Sequence, residues 1–133
     1  NIWYTTNTTT LYHSTDKGNN WQAYQCPVND FSGDAISFSD ANNGIIISGT
    51  NVYRTYDSGE NWTQIDPNGP VNSIGVSYVE GTDTIFSTST SGSSQSFDGG
   101  ITWKKCRVSC TYNQLCSTRN HAACACGATT YGK

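Results

Sequence analysis

Apolar and polar residues alternate along this chain in short runs, and the runs recur. In "DAISFSD" (34–40) the apolar Ala35 or Ile36 and Phe38 are separated by polar neighbours, the pattern of a half-buried strand. "IIIS" (45–48) reads as a buried strand, "NVYRT" (51–55) as a third strand and "WTQID" (62–66) as a fourth. "ANNG" (41–44) between the first two is a turn. The next stretch repeats the plan with "SIGVSYV", the turn "EGTD", "TIFSTST", "SSQS", the turn "FDGG" and "ITWKKC". Its third strand has lost the tyrosine and is small and polar throughout. The first stretch starts part-way through the unit, with "NIWYTTN" in the place of the second strand. No segment has a helical period or convincing helix caps.

The register of the repeat is set by "STDKGNNW" (14–21), "TYDSGENW" (55–62) and "SFDGGITW" (96–103), which follow one another at 41-residue steps. Aligning them also aligns what precedes them. "WYTTNTTTLYHST" falls on "GIIISGTNVYRT" with one residue of slack, and Tyr12 falls on Tyr53. Four short strands in about 41 residues are the content of one β-propeller blade. The expected fold is therefore all-β, with antiparallel four-stranded blades, about three to three and a half in number. Residues 1–105 form the blades. Residues 106–133 form a cysteine-rich segment that begins a further, incomplete blade, with "RVSCTYN" as first strand and Gly127 and Tyr131 set on Gly49 and Tyr53. The expected strand count is three, four, four and three.

Within the repeated element each residue has a structural use. Asp16, Asp57 and Asp98 can accept hydrogen bonds from backbone N–H groups a few residues on. Ser14, Thr55 and Ser96 can bond the same loop. Gly18, Gly59 and Gly100 can supply the positive φ that such a turn demands. Trp21, Trp62 and Trp103 open the next strand and can bury on the order of 200 Å² each under neighbouring turns. Catalysis or calcium binding by the three aspartates is the competing reading. It is disfavoured because a catalytic set is asymmetric and converges on one pocket, whereas these sit at equivalent points of successive units. No metal and no cofactor are expected.

The three elements resemble the Asp-box, or BNR repeat, of sialidases, sortilin-type receptors, xyloglucan-cleaving glycosidases and the photosystem II stability/assembly factor family. "AISFSDANNGIIISGTNVYRTYDSGENWTQI" looks most like the assembly-factor repeat. The resemblance covers residues 1 to about 105 and fades in the tail. It implies a propeller whose Asp-boxes lie at the blade periphery, away from a central ligand site, and so implies fold rather than activity.

A search for chemistry finds little. A sialidase-type site needs an arginine cluster, a Tyr/Glu pair and an acid, but Arg54 lies beside a repeat turn and Arg107 and Arg119 lie in the tail, and the Arg-Ile-Pro segment is missing. For a general glycosidase pair the free carboxylates are Asp30, Asp34, Asp40, Glu60, Asp66, Glu80 and Asp83. Asp30 and Asp34 precede a first strand, near where a central channel runs, and are the best ligand candidates among them. His13 and His121 have no triad partners at useful spacing, and His13 is expected at the surface. Tyr4, Tyr12, Tyr24, Tyr53 and Tyr78 are candidates for stacking on sugar rings, with Tyr12 and Tyr53 singled out by the repeat. The chain is expected to be no enzyme.

Composition narrows the setting. Only 13% of residues are charged and the net charge is −3, while the seven basic residues cluster no further than Lys104-Lys105-Arg107, so no nucleic-acid footprint exists. No apolar run approaches the ~18 residues of a membrane span. Of six cysteines, Cys106, Cys110, Cys116, Cys124 and Cys126 fall within 21 residues and fit no standard zinc spacing. Disulfides in an oxidising, extracellular compartment are expected, with pairing open and Cys26 bridged to the tail or to another chain. Asn7 and Asn61 head Asn-x-Thr sequons and are candidate glycosylation sites. The chain opens on Asn1 and has no Met, which suggests a mature product, a trimmed segment or a fragment.

Fewer than about four blades do not close, and the first unit lacks its first strand. An open strand edge is a template for another chain. The expected partners are copies of this chain, or another chain, joined by strand pairing into a ring or filament; glycans are the alternative partner, through a lectin-like face, and a glycosidase fragment the third reading.

Overall fold

A computed structural model describes residues 1–6, 8–29 and 35–106 of the 133-residue chain. The described residues form eleven strands in three antiparallel sheets, here called blades I, II and III. Blade I contains β1 (Ile2–Thr5), β2 (Thr10–Ser14) and β3 (Gln22–Gln25). Blade II contains β4 (Ala35–Phe38), β5 (Gly44–Ser48), β6 (Asn51–Thr55) and β7 (Thr63–Ile65). Blade III contains β8 (Gly75–Tyr78), β9 (Ile85–Ser89), β10 (Gly92–Ser96) and β11 (Lys104–Lys105). In every blade the strands are paired in chain order, so each is a meander.

The three isoleucines of β5 show why the sheets stack. Ile45, Ile46 and Ile47 are all fully buried, which one covered face cannot achieve because successive side chains point to opposite faces. Ile46 belongs to a cluster with Leu11, Cys26 and Val28, against which Trp3, Ile36, Phe38, Tyr53 and Trp62 pack. Ile45 and Ile47 join Ala35, Val52, Val76, Tyr78, Ile85 and Trp103. Blade II is thus the filling between two apolar layers, one facing blade I and one facing blade III.

Blade III replaces much of its aliphatic content with hydroxyls, and Asn72 satisfies three of them, while the buried Thr88 hydroxyl has no hydrogen-bond partner among the described residues. The Asn72 N–H donates to Ser87 Oγ at 3.3 Å, its Nδ2 to Ser94 Oγ at 2.9 Å, and its Oδ1 accepts from Ser89 Oγ at 2.7 Å. Buried polar groups with partners avoid most of the cost of leaving water.

Three expectations change. His13 is buried at 5% exposure rather than on the surface, because its ring stacks on Trp3 with centroids 4.7 Å apart. Tyr78 is not free for a ligand. It lies in the layer between blades II and III, and burial pushes its phenol up to about 12, against the opposing Arg54 charge. Cys26 is a buried free thiol, not half of a bridge. It fills space beside Leu11 and Ile46 as a small apolar side chain, and burial pushes its thiol up to about 12. Cys106 is buried. Cys110, Cys116, Cys124 and Cys126, with the disulfide-rich tail and its further blade, lie outside the described residues, as do Asn7, Asp30 and Asp34.

Candidate functional site

The three repeated turns are superimposable in their bonding. Asp16 Oδ1 accepts from Ser14 Oγ at 2.9 Å and from Asn20 N–H at 2.8 Å. Asp57 Oδ1 accepts from Thr55 Oγ1 at 2.8 Å and Asn61 N–H at 2.9 Å, and Asp98 Oδ1 from Ser96 Oγ and Thr102 N–H, both at 2.8 Å. The same hydroxyls accept from Gly18, Gly59 and Gly100 N–H, and each indole N–H donates to the glycine carbonyl three residues earlier. Gly18, Gly59 and Gly100 have φ of 92°, 96° and 95°. The residue before each is also left-handed, as Lys17, Ser58 and Gly99. That second positive φ is visible in the sequence only where it is a glycine.

Hydrogen bonds hold these carboxylates ionised. Donation by the Asn20 backbone and side chain and by Ser14 brings Asp16 down to about 2, and the Thr102 N–H leads the same effect at Asp98, also about 2. At Asp57 burial works in the opposite direction, and bonds from Asn61 and Thr55 outweigh it to leave the carboxyl low. Asp40 is lowered by the backbone N–H groups of Asn42 and Asn43 and by the Asn43 side chain. A general acid must carry a proton near neutral pH, so none of these four is one. Asn61, the sequon residue, donates its side-chain amide to Asp57 Oδ2 at 2.8 Å. Among the described residues no group of three or more His, Cys, Asp or Glu side chains is placed to hold a metal.

What distinguishes the turns is what sits against them. A Cβ built on Gly59 would run into Leu11 of blade I, and one on Gly100 would lie 3.0 Å from Ile45 of blade II. One on Gly18 would meet only Trp21. Side-chain donors follow the same rule. Trp3 Nε1 of blade I donates to Ser58 O at 3.2 Å, and Arg54 Nη1 of blade II donates to Gly99 O at 3.0 Å. The turns of blades II and III therefore each receive an aliphatic knob and a donor from the preceding blade. The turn of blade I, with Lys17 and Gly18, receives neither among the described residues.

That side of blade I is apolar and, among the described residues, uncovered. Trp21 is 39% exposed where its counterpart Trp103 is 2% exposed, and Tyr4 and Ile2 are 43% and 42% exposed. Tyr4 stacks on Tyr12 at 4.8 Å and meets the Trp21 ring edge-on, also at 4.8 Å. Tyr12, one of the two candidate ligand tyrosines, is thus on a free face. Tyr53, the other, packs into the layer between blades I and II. Next to this face, β1 is an edge strand. A groove of about 220 Å³ runs beside it, lined by Trp3, Tyr4, Leu11, Ile36, Ser37 and Phe38.

A solved structure described as YCF48 bound to D1 peptide superposes with a TM-score of 0.61 at 22% identity, over 77% of this chain and 34% of that one. The chain has a propeller-type fold. It spans about a third of the length of that propeller structure, and the likeness is one of fold alone. No protein-family model matches the chain, and no curated protein matches it. In this frame β1, β2 and β3 occupy the places of β5, β6 and β7. Tyr4↔Tyr12 repeats Ile46↔Tyr53, and Ile2↔Ser14 repeats Gly44↔Thr55. The uncovered side of blade I is the counterpart of the surface by which blade II docks on blade I, and the place of β4 is empty in blade I among the described residues. Sequence reasoning identified the missing strand but not the aromatic face beside it, because Tyr4, Tyr12 and Trp21 are far apart until the hairpin forms.

Proposed function

We propose that the chain is a non-catalytic interaction module that binds a protein partner on the unfinished side of blade I. One observation carries this reading: the surface that seats a neighbouring blade in blades II and III is present in blade I, and among the described residues nothing lies on it. Apolar area of this kind, rimmed by polar residues, is typical of binding surfaces. The solved structure of like fold was determined with a peptide bound, which supports a peptide or protein as the partner class. The bonding of the repeated turns supports kinship with Asp-box repeats, in which the aspartates are structural. The weakly charged surface and the cysteine-rich tail support an extracellular setting.

The test is selection from a displayed random-peptide library on the immobilised full-length chain. Selected peptides should bind the parent chain and lose binding to a Tyr4→Ser/Trp21→Ser variant. A library that yields no binder, or binders indifferent to that variant, overturns the reading.

A lectin-like role is the second reading, favoured by the Tyr4, Tyr12 and Trp21 cluster, since stacked sugar rings need flat exposed aromatics. Binding on a glycan array that disappears with Trp21→Ser would establish it in place of the protein partner.

A further inference from the structure

Two Asn-Gly pairs occur in the chain, Asn43-Gly44 and Asn68-Gly69. Such a pair carries a latent reaction, because glycine has no side chain to keep its nitrogen away from the preceding amide carbon. The structure disarms one pair and leaves the other open. Asn43 Nδ2 donates to both carboxylate oxygens of Asp40, at 3.0 and 2.8 Å, and its own N–H donates to Asp40 Oδ1 at 2.9 Å. Its C=O accepts from Ser39 N–H at 2.9 Å. Gly44 opens β5, which lies between β4 and β6, and is paired with Phe38 on one side and Thr55 on the other. Turning the Asn43 amide toward the Gly44 nitrogen would break these bonds together.

Asn68-Gly69 is held differently. The Asn68 main chain is fixed between blades II and III, its N–H donating to Ile101 O at 2.8 Å and its C=O accepting from Trp103 N–H at 2.7 Å. Among the described residues its side-chain amide makes no hydrogen bond, and neither does the Gly69 N–H. Both residues are exposed, and Gly69 lines an open groove of about 560 Å³ with Asp66 and Pro67, so water reaches it. The groups that would react are free and wetted. Glycine is also obligatory here, since its φ is 110° and a Cβ would strike the Trp103 carbonyl. The fold therefore cannot block the reaction by placing a larger residue after Asn68.

We propose that Asn68 is a self-modification site, where conversion to isoaspartate releases the junction of blades II and III as the molecule ages. The Gly69 nitrogen attacks Asn68 Cγ, and the new C–N bond closes a five-membered imide. The Cγ–Nδ2 bond breaks, and ammonia leaves with the proton given up by the Gly69 nitrogen. Water then opens the imide at either carbonyl. Opening at the main-chain carbonyl leaves isoaspartate, with the chain running on through Cγ, and opening at Cγ leaves aspartate. The sum is amide plus water to carboxylic acid plus ammonia, with no change of oxidation state. In isoaspartate the oxygen that accepted Trp103 N–H belongs to a free carboxylate on a branch, and the main chain is one methylene longer before Gly69. The close fit of Gly69 on the Trp103 carbonyl and the bridge beside it are lost together.

The test is to age the folded full-length chain in mildly alkaline buffer at physiological temperature, then digest it and map the peptides by mass spectrometry. The peptide containing Asn68 should separate into isoaspartate and aspartate forms, while the peptide containing Asn43 stays intact. Chain aged in concentrated urea should react at both pairs, because the bonds that protect Asn43 are gone. Acidic buffer should slow the reaction at Asn68, since the attacking nitrogen must lose its proton. In the aged folded chain, hydrogen exchange at Trp103 N–H should accelerate by about fivefold or more as its acceptor is lost. Asn68→Gln keeps the main-chain bridge and closes an imide far more slowly, so it should show neither the modification nor the faster exchange. An Asn68 that stays unmodified, or Asn43 and Asn68 reacting equally in the folded chain, overturns the proposal. Isoaspartate at Asn68 with Trp103 exchange unchanged overturns the release of the junction. None of these readouts involves a binding partner, so they succeed or fail apart from the interaction reading.

Discussion

Three tryptophans in identical turns have three different environments, and their energetic weight should follow. Trp103 is 2% exposed in the layer between blades II and III, Trp62 is partly buried, and Trp21 is 39% exposed. Trp103→Ala should cost about 3–5 kcal/mol, the usual range for a buried aromatic. Trp21→Ala should cost less, about 1–2 kcal/mol, because a larger share of its ring stays in water. Urea unfolding of the two variants checks the contrast, and equal losses would mean that the first turn is covered after all. His13 carries the other residue-scale prediction. Burial lowers its pKa below 6.5, with the N-terminal charge adding to the effect, so the folded state favours the neutral ring. A depressed value stabilises the fold above the unfolded pKa and loses that contribution as pH falls through the folded one. The β1–β2 hairpin should therefore loosen on acidification below about pH 6.5, ahead of Asp16 and Asp98, whose contributions are lost as pH falls from 3.8 to about 2. Because His13 stacks on Trp3, tryptophan fluorescence followed against pH reports the event, and His13→Phe should remove the step.

At the scale of elements, the link between blades II and III depends on a close backbone contact. Asn68 N–H donates to Ile101 O at 2.8 Å, and Trp103 N–H donates to Asn68 O at 2.7 Å, a single parallel bridge. Gly69, at φ 110°, follows it, and a Cβ there would strike the Trp103 carbonyl. Gly69→Ala should destabilise by about 2–4 kcal/mol, combining the strained φ with loss of the bridge. Thermal unfolding would show it, whereas Gly49→Ala, where nothing lies within 4 Å, pays only for φ. Nothing in the local pattern around "PNGPVN" announces this contact, since Gly69 reads there as an ordinary loop residue. The strands were legible because alternation and the 41-residue step both mark them. Asn72 was not, because its partners Ser87, Ser89 and Ser94 belong to two other strands. His13 was misjudged for a related reason. Alternation placed it opposite Tyr12 correctly, but the choice of which face is covered depends on blade II, which a single hairpin does not encode.

At the scale of the whole molecule, apolar layers join blade I to blade II and blade II to blade III, while the Tyr4–Tyr12 face of blade I carries no neighbouring blade among the described residues. Each copy presents the same Ile2, Tyr4, Tyr12 and Trp21 surface, so two copies can bury it against each other about a two-fold axis. Such a contact is weak because the exposed side chains are few, and it is driven by apolar burial rather than by charge. Only Lys17 carries charge in the adjoining "DKG" turn besides the bonded Asp16. Screening by salt would therefore leave it intact, and a kosmotropic salt such as sulfate should strengthen it. Sedimentation velocity should show a mass average that rises with concentration and with sulfate for the parent chain, and a monomer in both conditions for Tyr4→Ser/Trp21→Ser. A parent chain that stays monomeric at every concentration removes self-association.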